Sequence, residues 1–264
     1  TAFACKENGE KTKAHQNNAT VNETVKQHKK DDDCKDVHWS HHPGEHGPEN
    51  WQNLCSGFSA CGGKHQSPID IDTQTVIKDS TLKAPVFHYQ TSPVDIVNNG
   101  HTVQFNIQGD NTANLNGKDY KLLQFHYHSL SEHEIDHKHF PLEVHFVHKN
   151  TDTDYAVLGV MFKEGKNNLL FDKYLDKFPV KKGEYKAENE QIDLISLLPQ
   201  NKSYYLYNGS LTTPPCSEVV TWYVLKTPIE ASKEQLEKFS KILDNNYRPV
   251  MPLNDRKVRL FEDK

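Results

Sequence analysis

A mostly β domain with peripheral helices is what this sequence predicts, on three observations. Short runs of alternating apolar and polar residues recur, each closed by Gly, Pro, Asn or Asp, which is the period of half-buried strands. The run Ala156 to Phe162 is almost continuously apolar, as suits a strand buried on both faces. Only two segments carry apolar residues at helical spacing. With no internal repeat and no second linker, residues 38–264 read as one domain behind a polar extension over residues 1–37.

In residues 1–37 Lys, Asn, Thr, Glu and His dominate, and Lys29-Lys30-Asp31-Asp32-Asp33 is a charge run. Such a composition cannot bury a core of its own, so the expectation is a solvated tail or a strip laid on the domain. Trp39 to Trp51 reads as loop, punctuated by Gly and Pro. The excess of His38, His41, His42 and His46 there leaves metal buffering as an alternative to plain solvation. Gly62-Gly63 and Ser67-Pro68 bracket the entry to a first strand, Ile69 to Ile71. Val94 to Val97 is the next strand. Val103, Phe105 and Ile107 mark another, closed by Gly109-Asp110-Asn111. Two histidine-bearing runs and Ala156 to Phe162 follow, then Leu206-Tyr207 and Val219 to Leu225. Asn168 to Phe178 is helical in period and stops at Pro179. Ser232 to Leu243 is the clearest helix: Ser232 can cap, Glu234 and Gln235 fill the first turn, and Leu236, Phe239 and Leu243 form the stripe.

The histidine runs carry the chemistry. In Gln124-Phe125-His126-Tyr127-His128 the two histidines stand at i and i+2, so they share one strand face with Gln124 and Leu122, while Leu123, Phe125 and Tyr127 take the other. In Glu143-Val144-His145-Phe146-Val147 the face of His145 holds Glu143 and Val147, and Val144, Phe146 and His148 lie opposite. If the runs pair as antiparallel neighbours, His145 approaches His126 and His128. Three imidazoles with an open fourth position are the pattern of a catalytic zinc site rather than a closed structural one. Gln124 and Glu143 lie where they can take the second ring N–H of a ligand. The chain has 16 histidines, and His133, His137, His139 and His148 compete for the same role on spacing alone.

Composition narrows the setting. The formal net charge is −5 over 264 residues and is dispersed, which argues against a nucleic-acid partner. Mean hydropathy is −0.80, and no apolar stretch reaches the ~20 residues that span a bilayer. Thr1 is not a start methionine, which is compatible with removal of a signal peptide. The sequons at Asn18, Asn22, Asn201 and Asn208 add weak support for export and glycosylation. The five cysteines, Cys5, Cys34, Cys55, Cys61 and Cys216, form no CxxC pair. Their odd number leaves one thiol free or joined between chains.

Several blocks in fixed order make the sequence resemble the alpha-class carbonic anhydrases, from about His38 to Phe261. They are Gly47-Pro48-Glu49-Asn50-Trp51, Gln66-Ser67-Pro68-Ile69-Asp70-Ile71, Asn98-Asn99-Gly100-His101 and the two histidine runs. Ser131-Glu132-His133-Glu134, Gly209-Ser210-Leu211-Thr212-Thr213-Pro214-Pro215-Cys216 and Asn246-Tyr247-Arg248-Pro249 complete them. The resemblance implies a large twisted, mainly antiparallel sheet of about ten strands, with zinc at the floor of a conical cleft. It implies a zinc lyase that reversibly hydrates carbon dioxide to bicarbonate and a proton by zinc-bound hydroxide.

Residue by residue, the resemblance makes His126, His128 and His145 the zinc ligands, with Gln124, Glu143 and the backbone of Asn246 behind them. Thr212 accepts from the hydroxide and is oriented by Glu132. His101 is the proton shuttle, a role that an imidazole titrating near neutrality suits. Val147, Val157, Leu211 and Trp222 form the wall for carbon dioxide, with Thr213 at its mouth. Cys61 and Cys216 match the family disulfide. Anions and sulfonamides are expected inhibitors. The expected location is secreted, extracellular or periplasmic, and the expected state a monomer or a homodimer, which a disulfide could link.

The sequence departs from the family in three places. The family's usual Tyr near the first Trp is missing in Trp39-Ser40-His41-His42-Pro43-Gly44, where His41 can replace it. Ser129 stands where animal members carry Trp. Cys5, Cys34 and Cys55 have no counterpart, and Cys55 can pair with Cys5, with Cys34 or between chains. Two other readings stand beside the enzyme. One is a binding, storage or adhesion protein with vestigial catalysis, in which a ligand histidine is typically lost. The other is a zinc esterase, which needs a wider pocket than Val147, Val157 and Leu211 suggest.

Overall fold

The computed structural model describes residues 34–179 and 181–264. Cys5, Asn18, Asn22 and all of the polar extension before Cys34 lie outside the described residues. Sixteen strands occur among those described. The first eight are β1 (Asp70–Ile71), β2 (Ile77–Lys78), β3 (Val86–His88), β4 (Ser92–Asn98), β5 (Val103–Ile107), β6 (Thr112–Leu115), β7 (Lys118–His128) and β8 (Glu134–Ile135). The others are β9 (Lys138–His139), β10 (Leu142–Thr151), β11 (Asp154–Glu164), β12 (Gly183–Ile192), β13 (Tyr204–Gly209), β14 (Val220–Leu225), β15 (Ile229–Ala231) and β16 (Arg259–Phe261). The helices are α1 (Trp51–Leu54), α2 (Leu169–Tyr174) and α3 (Lys233–Leu243), with short 3₁₀ turns between elements.

One sheet dominates, ordered β12-β4-β5-β7-β10-β11-β14-β13-β16-β2, with β3, β6 and β15 attached beside it. Along this path the pairing is antiparallel except at β11–β14 and β16–β2. The mostly β, mainly antiparallel expectation therefore holds, and β1, β8 and β9 form a separate small sheet. The main core lies against one face. There Phe105, Phe125, Tyr127, Val144, Phe146, Leu158, Val160 and Phe162 pack with Phe171 and Tyr174 of α2 and Phe239 of α3. Val157, Met161, Trp222 and Tyr207 gather on the opposite face. The apolar run of β11 is split between these two clusters, which is why it shows no alternation.

Helix α3 follows its sequence signals. Ser232 and Gln235 form a reciprocal capping box, and Leu236, Phe239 and Leu243 are buried, so two otherwise unpaired backbone donors are satisfied at its start. Asn168 caps α2 by accepting from the N–H groups of Leu170 and Phe171.

The structure departs from the sequence reading at several points. Leu122 does not share the histidine face: the register slips between Val147↔Gln124 and His148↔Leu122, and this bulge turns Leu122 into the main core while Leu123 faces solvent. Strand β12 was not legible, because Gly183–Ile192 is mostly polar, although Ile192 at its end is buried in the main core. It is an edge strand whose backbone pairs with β4 alone. The first strand is shorter than Ile69 to Ile71, and the loop reading of Trp39 to Trp51 ends one residue early, since Trp51 opens α1.

Candidate metal centre

Register brings the histidines together. Within the β7–β10 ladder, His126 faces His145 and His128 faces Glu143. The ring centroids are 5.0 Å apart for His126 and His128, 5.4 Å for His126 and His145, and 4.6 Å for His128 and His145. One nitrogen from each lies within 4.8 Å of the others.

Each ring turns its second nitrogen toward a polar neighbour, as a hydrogen bond for His126 and His128 and as an ion-pair contact for His145. His126 Nδ1 lies 2.8 Å from Gln124 Oε1, His128 Nδ1 donates to the Asn246 carbonyl at 2.6 Å, and His145 Nε2 sits 2.8 Å from Glu143 Oε1. These contacts fix the tautomers and leave Nε2, Nε2 and Nδ1 facing one another. His128 Nε2 is buried with no protein hydrogen-bond partner. An orphaned buried imidazole nitrogen is costly, and three such donors fit a tetrahedral zinc ion with its fourth position open. Burial lowers the pKa of all three: His126 well below 6.5 with help from His128 and His145, His128 to about 4, and His145 downward against the pull of Glu143. They are neutral at pH 7, the form a metal requires.

Glu143 is the hub behind His145. Its Oε2 accepts from the backbone N–H groups of Glu132 and His133 at 2.8 and 2.9 Å, and His133 Nδ1 lies 2.8 Å from its Oε1. Burial pushes the Glu143 carboxyl up, but His133 and His145 outweigh it and hold the pKa well below the usual range. Beside the Glu143 carboxylate stands Gly159, the register partner of His145. A Cβ there would meet Glu143 Oε1 at 2.7 Å, so glycine leaves the space the carboxylate fills.

Glu132 is fully buried 3.6 Å from His128 Nδ1 and 3.8 Å from His145 Nδ1. Its Oε1 accepts from the Arg248 N–H at 2.8 Å. Burial raises its pKa to about 7, against the pull of His145, the Thr212 hydroxyl and the Arg248 N–H. Thr212 is buried beside it, on a loop tied by Cys61–Cys216 and by the Cys216 N–H donating to the Thr213 carbonyl at 2.9 Å. Trp222 Nε1 anchors the start of that loop at the Ser210 carbonyl, 3.0 Å away.

The predicted apolar wall forms one row. Val147 pairs with Val157 and Val157 with Trp222, and Leu211 packs on the same cluster. Thr213 is half-buried beside them in sequence, at the turn.

His101 sits beyond the bend at Gly100 (φ +90°), its N–H and that of Thr102 both donating to Asn99 Oδ1 at 2.9 Å. Its ring stacks on Trp39 at 3.7 Å and 7°. Burial lowers its pKa, with smaller contributions from His38 and Lys182. Buried His41 stands 6.1 Å from the His101 ring and 6.4 Å from that of His128. Asn246 does more than its carbonyl alone suggested: Oδ1 accepts from Ser129 N, and Nδ2 donates to the carbonyls of His101 and Tyr127. It therefore ties the His101 turn to β7, which carries His126 and His128.

The competing histidines fall elsewhere. His148 is in the core against Tyr89 and the Phe146 carbonyl. His137 and His139 belong to the β8–β9 hairpin, paired with Asp70 and Glu134. His133 is close but bridges Glu143 and the Tyr207 hydroxyl. That network, and Arg248 donating to Gln66, Ser67 and Cys61, was not readable from spacing. Its members meet only across the sheet. The open question of Cys55 resolves to Cys34–Cys55.

Residues 46–262 match the family model described as eukaryotic-type carbonic anhydrase. The chain is 43% identical to a carbonic anhydrase of Neisseria gonorrhoeae over 84% of its length and 87% of that protein. It is 40% identical to one of Nostoc sp. over 85% and 86%. Among solved structures, the alpha-carbonic anhydrase of Thermovibrio ammonificans with the inhibitor sulfanilamide aligns with a TM-score of 0.81 at 44% identity, covering 84% of this chain and 99% of that one.

Proposed function

Since the chain belongs to the carbonic anhydrase family and is a lyase of that kind, we propose that it hydrates carbon dioxide reversibly at a zinc ion held by His126, His128 and His145. The observation that carries this reading is the set of three neutral imidazoles whose outer nitrogens face Gln124, the Asn246 carbonyl and Glu143 while the inner ones converge, His128 Nε2 without a protein partner. A bound zinc ion supplies a Lewis acid that makes water a nucleophile near neutral pH, an effect for which carbonic anhydrase is the standard example.

The chain's own residues do the rest. Gln124, Glu143 and the Asn246 carbonyl hold the rings in the ligating tautomer. When ionised, Glu132 can only accept, so the Thr212 hydroxyl donates to it. The Thr212 oxygen then accepts a hydrogen bond from the attacking water, aiming a lone pair at the substrate carbon. Val147, Val157, Leu211 and Trp222 offer carbon dioxide an apolar rest, and Thr213 borders it. His101 takes the product proton outward, as an imidazole able to gain and lose a proton can. Sulfonamides and small anions should compete for the open metal position, in keeping with the sulfanilamide complex of the Thermovibrio ammonificans relative.

Both disulfides suit an oxidising compartment, and the sequon residues Asn201 and Asn208 are exposed. Both features support a secreted or periplasmic protein.

Stopped-flow hydration from about pH 5 to 9 tests the reading on wild type and His101→Ala. Wild type should gain activity as pH rises, and the variant should lose roughly 10-fold or more in weak buffer, with recovery in added imidazole. No hydration by zinc-replete wild type would refute the activity. An unaffected His101→Ala would refute the shuttle.

A further inference from the structure

The disulfide without a family counterpart, Cys34–Cys55, stands at the head of the segment that meets the His101 ring. We propose that it is a positioning device: by clamping residues 34–39 to the start of the catalytic domain, it holds the Trp39 indole on which His101 stacks. The inference rests on the proposed role of His101 in proton release.

The path of contacts is continuous. Cys55 directly follows α1, and Gly57 N–H donates to Cys34 Sγ at 3.1 Å. Cys34, Val37, Trp39, Leu54 and Cys55 pack around Trp51, Phe58, Cys61 and Cys216. Trp39 meets Trp51 and His41 edge-on, each at 5.3 Å, and the His101 ring stacks on it at 3.7 Å. Trp51 in turn is pinned by Nε1 donating to the carbonyls of Ser40 and His46, both at 3.1 Å. Within 34–39 the hydrogen bonds among the described residues are Val37 N–H to the Cys34 carbonyl and the Gly57 contact to Cys34. Side-chain packing and the disulfide therefore hold this strip, not a backbone ladder.

Both disulfides converge on one small cluster. Cys61–Cys216 fixes the loop of Thr212, and Cys34–Cys55 fixes the indole under His101. The shuttle and the metal-side loop are thus referenced to the same packing unit. A stiff stacking surface restricts the ring of His101 to few orientations, and proton transfer depends steeply on such placement.

The test uses the full chain with Cys34→Ser/Cys55→Ser. The first readout needs no metal: by NMR on the metal-free protein, the His101 ring protons of wild type should be shifted upfield by the indole, and in the variant they should move toward the unstacked position. The second is kinetic. In weak buffer kcat should fall by about 3- to 30-fold, below the roughly 10²-fold that a 1 Å misplacement can cost. kcat/KM should stay within about twofold, and imidazole should restore kcat. Trp39→Ala, which keeps the disulfide, should reproduce both results and guards against a double variant that fails to fold. An unchanged His101 shift together with an unchanged kcat overturns the proposal. So does an equal loss of kcat and kcat/KM with reduced zinc content, which would place the damage at the metal centre. If wild type shows no hydration, the functional reading fails, while the NMR readout still decides whether the disulfide positions the ring.

Discussion

Replacing Gly159 by alanine drives one methyl group into the carboxylate that orients His145. The added carbon would stand 2.7 Å from Glu143 Oε1, which is 3.4 − 2.7 = 0.7 Å inside the distance at which ordinary contact begins. Glu143 cannot retreat freely, because its oxygens are committed to the N–H groups of Glu132 and His133 and to the rings of His133 and His145. Gly159 has no positive φ, so alanine is acceptable to the backbone and the cost falls on the carboxylate. Losing or stretching one charge-assisted hydrogen bond costs about 1.5–3 kcal/mol. If that cost appears in metal binding, zinc affinity drops roughly 10- to 100-fold. Competition against a chromogenic chelator measures the affinity, and a melt of the metal-free protein checks that the variant folds. The shorter acid in Gly159→Ala/Glu143→Asp should recover part of the loss, a coupling that a double-mutant cycle isolates. A folded Gly159→Ala protein with zinc affinity within about twofold of wild type would show that Glu143 does not govern the His145 ligand.

Three further outcomes follow from the same geometry. Thr212→Ala should keep zinc and lose up to about 10²-fold in hydration rate, since it removes alignment rather than the metal; equal rates with full zinc would sink the orienting role. Cys61→Ser/Cys216→Ser opens a link between residues 155 apart in sequence and should lower stability by about 2–5 kcal/mol in denaturant titration, a loss that an unchanged midpoint would contradict. His148, pushed by burial from 6.5 down to about 4, binds its proton in the unfolded chain before it does in the folded one. Its share of stability is complete above about pH 6.5 and declines by up to roughly 1.4 kcal/mol per pH unit toward pH 4. Metal-free His148→Gln should therefore show a flatter stability slope over that window, and parallel slopes would exclude the assignment.

The adjacency of His126 and His128 was legible because strand period is two and no bulge falls between them. The same rule misplaced Leu122, since a bulge adds one residue and reverses every face beyond it. Helix α3 announced itself through a cap, a first turn and a stripe, all local signals. Strand β12 was missed, because a mostly polar edge strand shows too little apolar alternation, even with Ile192 buried at its end.

What the sequence determined by itself is therefore whatever short-range chemistry encodes: the alternating strands, the capped helix, the shared face of His126 and His128, and the ordered blocks that carry the family resemblance. The tertiary structure alone decided which histidines converge and which tautomers they hold. Glu143, two residues before His145 on the same strand, was legible from spacing, but Asn246 and Arg248 meet the site from distant loops. It also decided that Cys55 pairs with Cys34 and that His101 lies on Trp39. Contacts between segments far apart in sequence are set by register, by close packing and by burial of polar groups that must find partners. None of these leaves a spacing that can be read along the chain.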